Sequence, residues 1–90
     1  MTLTLLVRAY CHLCDEMREA LAPLAAARRV AIALVDVDAN PALEAEWGDK
    51  VPVLFAGDPA PEAELCHYRL DAVRVEAELV REVASKAEIR

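Results

Sequence analysis

Short apolar runs and longer amphipathic segments alternate along the chain, and their periods distinguish strands from helices. Apolar runs predict four strands, at residues 3–7, 30–35, 51–55 and 64–68. The first run is apolar at almost every position, which is typical of a strand covered on both faces. The second is the clearest of the four, and the turn residues at positions 57–59 separate the last two into a hairpin with a short connection.

Three segments with helical spacing lie between and after these strands. The first covers residues 15–29, and its predicted buried face comprises Met17, Ala20, Leu21, Leu24 and Ala25. Pro23 lies inside it and cannot donate to the Glu19 carbonyl, so we expect a kink or an early end there. The last helix follows Asp71, its predicted N-cap, and its core-facing stripe comprises Ala72, Val75, Leu79, Val80 and Val83.

The middle helix is short and has a signal at each end. Asn40 is a typical N-cap, Pro41 suits the first helical position, and Gly48 suits the C-terminal cap. The element order is therefore β-α-β-α-β-β-α. Alternating strands and helices predict a parallel first pair, and the terminal hairpin adds antiparallel strands. We expect an α/β fold and one domain over residues 1–90.

Composition narrows the class of protein. Ninety residues suffice for one small domain, and the net charge is 10 − 16 = −6. An acidic chain lacks the surface that neutralises phosphates, which argues against nucleic-acid binding. Apolar runs are too short for a membrane span, and no basic region precedes the first of them, as a signal peptide requires. We expect a cytoplasmic protein, a monomer, with neither nucleic acid nor membrane as a partner.

Three cysteines carry the candidate chemistry. An odd count without a signal peptide argues against a structural disulfide framework. Cys11 and Cys14 form a C-x-x-C motif after the first strand, where the chain turns into the first helix. The N-terminal end of a helix favours a thiolate, and a cysteine one turn along can form a disulfide with it. Cys11 is therefore the candidate nucleophile and Cys14 the resolving thiol, although C-x-x-C alone is also half of a zinc site.

Together these residues resemble a known group. A strand, Tyr-Cys-x-x-Cys, a helix and a later Val-Pro at a strand start are similar to the glutaredoxin branch of the thioredoxin superfamily, over residues 3–84. The spelling Cys-His-Leu-Cys resembles small bacterial glutaredoxin-like proteins. The resemblance implies a thioredoxin-like fold, with a four-stranded mixed sheet and helices on both faces. It also implies thiol–disulfide oxidoreductase activity on protein or low-molecular-weight disulfides, without a bound cofactor.

The resemblance also assigns roles to residues outside the motif. Val51-Pro52 corresponds to the cis-proline element that docks the substrate backbone. Arg8 stands where glutaredoxins place a lysine near the thiolate and glutathione, and Tyr10 shapes the approach to Cys11. His12 is a candidate from the sequence itself, because a protonated imidazole beside Cys11 would favour its thiolate. The alternative for His12 is a solvated loop position.

The electron donor is less clearly indicated. The resemblance implies glutathione or a thioredoxin-reductase-type protein. Glutaredoxins carry a Gly-Gly pair after the fourth strand to hold glutathione, and this chain has bulky residues at positions 67–70 instead. Asp71 is the remaining candidate for the acidic position that binds the γ-glutamyl end. This departure argues against glutathione.

Two other functions stay open at this point. Cys66 is either a small buried hydrophobe or a third member of a metal or iron–sulfur site with Cys11 and Cys14. Strand alternation favours the first interpretation, because Cys66 and His67 point to opposite faces. The second alternative is a thioredoxin-fold interaction module that keeps its dithiol. Trp47 and Phe55 are expected to pack in the core, with Arg74 and Arg81 on the solvent face of the last helix.

Overall fold

The predicted element order is observed in the computed structural model, which describes the backbone of residues 1–88 and the side chains of residues 1–82. The strands are β1 (Thr2–Val7), β2 (Ala31–Asp36), β3 (Val53–Ala56) and β4 (Glu64–His67). The helices are α1 (His12–Ala27), α2 (Pro41–Trp47) and α3 (Ala72–Glu88). Short 3-10 turns lie at Val37–Ala39, Gly48–Lys50 and Pro61–Ala63.

The four strands form one mixed sheet in the order β2-β1-β3-β4. β1 pairs in parallel with β2 and antiparallel with β3, and β3 pairs antiparallel with β4. Because β1 lies between two partners, Leu3, Leu5 and Leu6 are fully buried, as its continuous apolar run predicts. β2 lies at an edge of the sheet, and Leu34 on it is 45% exposed.

Helices cover both faces of this sheet, as predicted. One core cluster joins α1 and α3 to the sheet through Leu3, Leu5, Met17, Leu21, Leu54, Leu65, Val75 and Leu79. The second cluster joins α2 to the other face through Leu6, Val37, Trp47, Val53 and Phe55. The Trp47 and Phe55 rings meet edge to face with centroids 5.0 Å apart, which confirms their packing role.

Several local predictions are wrong in detail. α1 begins at His12 rather than residue 15, because Cys11 provides its N-cap. Of the two outcomes expected at Pro23, the early end is wrong: the helix continues through the proline to Ala27, with Leu21 and Ala25 buried in the core on both sides of it, and a kink stays a prediction. β3 begins after Pro52, which has no N–H to donate to a ladder. The β3–β4 connection is longer than expected and includes the turn Pro61–Ala63.

The predicted helix caps and buried helix faces are confirmed at some residues and wrong at others. Asn40 caps α2 through bonds from the Ala42 and Leu43 N–H groups, as predicted. Gly48 is the C-cap but stays right-handed (φ −53°), because the chain continues into a 3-10 turn. The predicted buried faces of α1 and α3 are confirmed at Met17, Leu21, Ala25, Val75 and Leu79. They are wrong at Ala20, Ala72 and Val80, which are exposed. Leu24 is half-buried, and the Val83 side chain lies outside the described residues.

Candidate functional site

The end of β1 leads through a tight turn into the dithiol. Ala9 and Tyr10 form the turn, and Tyr10 has the left-handed φ of 57° that reverses the chain direction before α1. Its side chain is fully exposed, more so than the partial exposure expected from the sequence. Cys11 follows as the N-cap of α1, so the thiol lies where the first helical N–H groups are unpaired.

Cys11 and Cys14 are joined by a disulfide, with their Cα atoms 5.2 Å apart. The backbone N–H of Cys14 donates to the Cys11 sulfur at 3.1 Å, which makes this sulfur the capping acceptor of the helix. The two cysteines differ in access. Cys11 is half-buried, whereas Cys14 is 3% exposed. An incoming group therefore meets Cys11 first.

Arg8 and His12, the two basic side chains that the sequence placed beside Cys11, have carboxylate partners. The Arg8 guanidinium donates from Nε and Nη2 to the Asp38 carboxylate at 3.0 and 2.9 Å, and Nη2 also lies 3.4 Å from Glu44. The hydrogen bond to Asp38 is the main reason that the pKa of Arg8 rises above its ordinary value. His12 is exposed and its Nε2 lies 3.0 Å from a Glu16 carboxylate oxygen. The donor that the structure shows at the Cys11 sulfur is instead a helix N–H group, that of Cys14.

A cleft of about 190 Å³ opens beside the dithiol on the β2 side of α1. The residues around it combine opposite charges with apolar surface: Arg8, Tyr10, Cys14, Arg18, Leu34 and Asp36. Arg8 and Tyr10 thus share a surface with Cys14. Arg18 and Leu34 were not expected here, because only the helical turn and the strand order bring them to this position.

The Val51-Pro52 peptide bond is cis, as the resemblance implies. Leu6 of β1 pairs with Val53 of β3, so Pro52 lies one step further toward the end of the sheet at which β1 leads into Cys11. The end of β4 reaches the same place, because His67 pairs with Val53 and the Tyr68 N–H donates to the Pro52 carbonyl at 2.9 Å. Sheet register therefore brings the dithiol and the Val51-Pro52 segment to one end of the molecule.

Asp71 lies beyond β4, and its side chain is hydrogen-bonded to the backbone of α3. Its carboxylate accepts from the Arg74 N–H at 3.0 Å, which confirms it as the N-cap of α3. The Arg74 side chain donates to the Glu64 carbonyl at 3.2 Å, and Arg81 pairs with Glu78. Both arginines are exposed, as expected.

Cys66 lies in β4 opposite Leu54 and packs against the core cluster beneath α1 and α3. It is half-buried, less enclosed than the small buried hydrophobe that the sequence favoured. Burial raises the pKa of its thiol above the ordinary value, and a backbone hydrogen bond at Asp71 partly opposes this. Among the side chains of residues 1–82, no three His, Cys, Asp or Glu residues come together in an arrangement that could hold a metal ion.

Comparison with known proteins places this architecture in a family. The sequence matches the family described as Glutaredoxin-like domain (DUF836) over residues 2–80. The chain belongs to this glutaredoxin-like family. The expectation drawn from the C-x-x-C and Val-Pro motifs is confirmed. No helix in the described part of the chain has the length and apolar character needed to cross a membrane.

Solved structures agree with this assignment. Protein Ne2328 from Nitrosomonas europaea is 37% identical, with 86% of this chain and 88% of that one covered and a TM-score of 0.73. Protein XcR50 from X. campestris is 42% identical, with coverage of 88% and 96% and a TM-score of 0.64. Thioredoxin 1 from Thermosipho africanus, 21% identical with coverage of 94% and 99% and a TM-score of 0.61, shows that the glutaredoxin-like chain has the thioredoxin fold.

Proposed function

We propose that this protein is a thiol–disulfide oxidoreductase in which Cys11 is the nucleophile and Cys14 the resolving thiol. One observation carries the proposal. The more accessible sulfur of a bonded pair caps a 16-residue helix and accepts the N–H of its own partner cysteine. The same N–H group and the helix dipole would favour a thiolate at Cys11 once the disulfide is reduced.

The reaction has two exchange steps. The Cys11 thiolate attacks one sulfur of a substrate disulfide, forms a mixed disulfide and releases the other substrate sulfur as a thiolate, which takes up a proton. The Cys14 thiol then loses its proton and attacks the Cys11 sulfur, which releases the second substrate thiol and forms the Cys11–Cys14 disulfide. Two electrons pass to the substrate. A thiol donor returns two electrons and two protons to the enzyme by the same exchanges in reverse.

The surrounding residues suggest how the substrate docks. The cis Val51-Pro52 segment lies at the dithiol end of the sheet, and we assign to its backbone the pairing with an extended substrate segment. Tyr10 and Arg8 border the approach, with His12 exposed on the first turn of α1. For the electron donor we favour a thioredoxin-reductase-type protein over glutathione, because bulky residues stand at positions 67–70 in place of the Gly-Gly pair; Asp71, the remaining candidate for glutathione, caps α3. These roles suit a reducing compartment such as the cytoplasm.

A redox titration of the purified protein tests the proposal. Samples equilibrated in glutathione buffers are acid-quenched, alkylated and weighed intact, with the Cys66→Ala variant as the matched control that retains only the motif thiols. We expect a loss of two daltons at a midpoint between about −270 and −120 mV in both proteins. Reduction of a quenched fluorescent peptide disulfide then shows turnover. Free Cys11 and Cys14 thiols at every potential, with metal retained in native mass spectra, would overturn the proposal in favour of a metal site.

A further inference from the structure

Tyr68 makes one hydrogen bond to the Val51-Pro52 segment and a second to the chain just before it. Its backbone N–H donates to the Pro52 carbonyl at 2.9 Å. Its phenol hydroxyl donates to the Asp49 carbonyl at 2.7 Å. The backbone bond holds the chain at Pro52, and the hydroxyl bond holds it at Asp49, two residues before Val51. One residue therefore restrains the backbone on either side of the dipeptide.

The sheet and the neighbouring side chain orient Tyr68 for this contact. The β3–β4 register shifts between Leu54 and Phe55, so that Cys66 faces Leu54 and His67 faces Val53. This irregularity determines which residue of β4 reaches Pro52. Tyr68 then adopts a left-handed φ of 64°, a conformation that a tyrosine keeps only where surrounding contacts hold it. The His67 ring meets the Tyr68 ring edge to face with centroids 4.8 Å apart.

We infer that Tyr68 is a positioning residue that fixes the Val51-Pro52 backbone for docking of peptide disulfides. This inference rests on the proposed function and adds a substrate class to it. An extended peptide beside the substrate disulfide needs the Val51 backbone in a fixed orientation, and ordering this segment before binding lowers the cost of docking. A small disulfide without a flanking peptide needs only the Cys11 sulfur. By fixing this backbone, Tyr68 therefore lowers the cost of binding for peptide disulfides and not for small ones.

The Tyr68→Phe variant tests this inference, because it removes the hydroxyl and keeps the ring and the backbone N–H. Its kcat and KM are measured with a quenched fluorescent peptide disulfide and with hydroxyethyl disulfide. Loss of one hydrogen bond should raise KM for the peptide about three- to ten-fold. We expect kcat, the redox midpoint potential and both constants for hydroxyethyl disulfide to stay at wild-type values. Arg81→Gln, which removes an exposed ion pair with Glu78 on α3, is the control for a general loss of stability.

The remaining outcomes separate the inference from the function on which it rests. An equal rise in KM for both substrates, or a fall in melting temperature with unchanged KM, would show that Tyr68 only stabilises the fold. An unchanged peptide KM would also overturn the inference while leaving the oxidoreductase intact. A wild-type protein that reduces neither disulfide would overturn the proposed function, and the inference with it.

Discussion

Cys11 and Cys66 are the same kind of residue in opposite environments. Cys11 lies at the N-terminal end of α1, where its sulfur accepts a backbone N–H. Cys66 lies on a strand against the core, where burial raises the pKa of the thiol. A helix end stabilises a thiolate and an apolar surface destabilises it. The two thiols therefore differ in expected reactivity because of where they lie in the fold: Cys11 at a helix end and Cys66 on a strand against the core.

Replacing Cys11, the proposed nucleophile, should have the largest effect. Cys11→Ser should lower reduction of the peptide disulfide at least roughly 10³-fold, a loss well within the acceleration that enzymes provide. Turnover measured by fluorescence against the uncatalysed rate checks this. Cys66→Ala is the matched control and should turn over like the wild type. Equal losses in the two variants would remove the distinction between the thiols.

Replacing Cys14, the proposed resolving thiol, should stop the reaction after the first exchange step. Cys14→Ser retains the attacking sulfur but cannot release the substrate, so the mixed disulfide at Cys11 should accumulate. Intact mass spectrometry under acid quench detects the adduct, and a peptide map locates it. An adduct on Cys66 instead would contradict the assignment of roles.

The two environments also predict different pH profiles for labelling of the reduced protein. Burial penalises the Cys66 thiolate, so its pKa is raised and the residue stays protonated at neutral pH. Labelling by iodoacetamide should therefore reach half of its maximum rate above the pH expected for an ordinary cysteine. Cys11, at the helix end, should be labelled at least about tenfold faster at pH 7. Mass spectrometry of peptides sampled between pH 6 and 10 measures both rates. Identical profiles would contradict the comparison.

A helix cap without redox chemistry should show the smallest effect. Asn40 caps α2 through its side-chain oxygen as Cys11 caps α1 through sulfur. Asn40→Ala should lower the free energy of unfolding by about 0.5–2 kcal/mol. The redox midpoint should not change. Chemical denaturation and the glutathione titration together check this, and a shifted midpoint would show that the two helix ends are coupled.

Much of the fold follows from local pattern. The apolar run of β1, the signals Asn40 and Pro41, and the cap at Asp71 each act over a few residues, so they are readable without tertiary contacts. The first residue of α1 is placed three positions late, at 15 instead of 12, because a cysteine is not a usual N-cap. Exposure of Val80 is also missed, since the width of the buried stripe depends on how closely α3 lies on the sheet.

The candidate site divides in the same way. Cys11 and Cys14 are three residues apart, and any helix that begins there brings them together. The partner of Arg8 lies thirty positions away, and the sequence contains no signal that selects Asp38 for this role. In the sequence Tyr68 is marked only as one of the bulky residues at positions 67–70. Its bond to the Asp49 carbonyl depends on side-chain direction and on the loop path.

The sequence by itself determined the element order, the helix caps and a cysteine pair at a helix start, because hydrophobic period, capping chemistry and motif spacing act within one or two turns. Only the tertiary structure decided that Arg8 is engaged by carboxylates, that Cys66 lies against the core and that Tyr68 brackets the cis-proline segment. Each of these contacts joins residues that are distant along the chain. Their partners are selected by strand order, register and a bulge, and these depend on how the whole sheet packs.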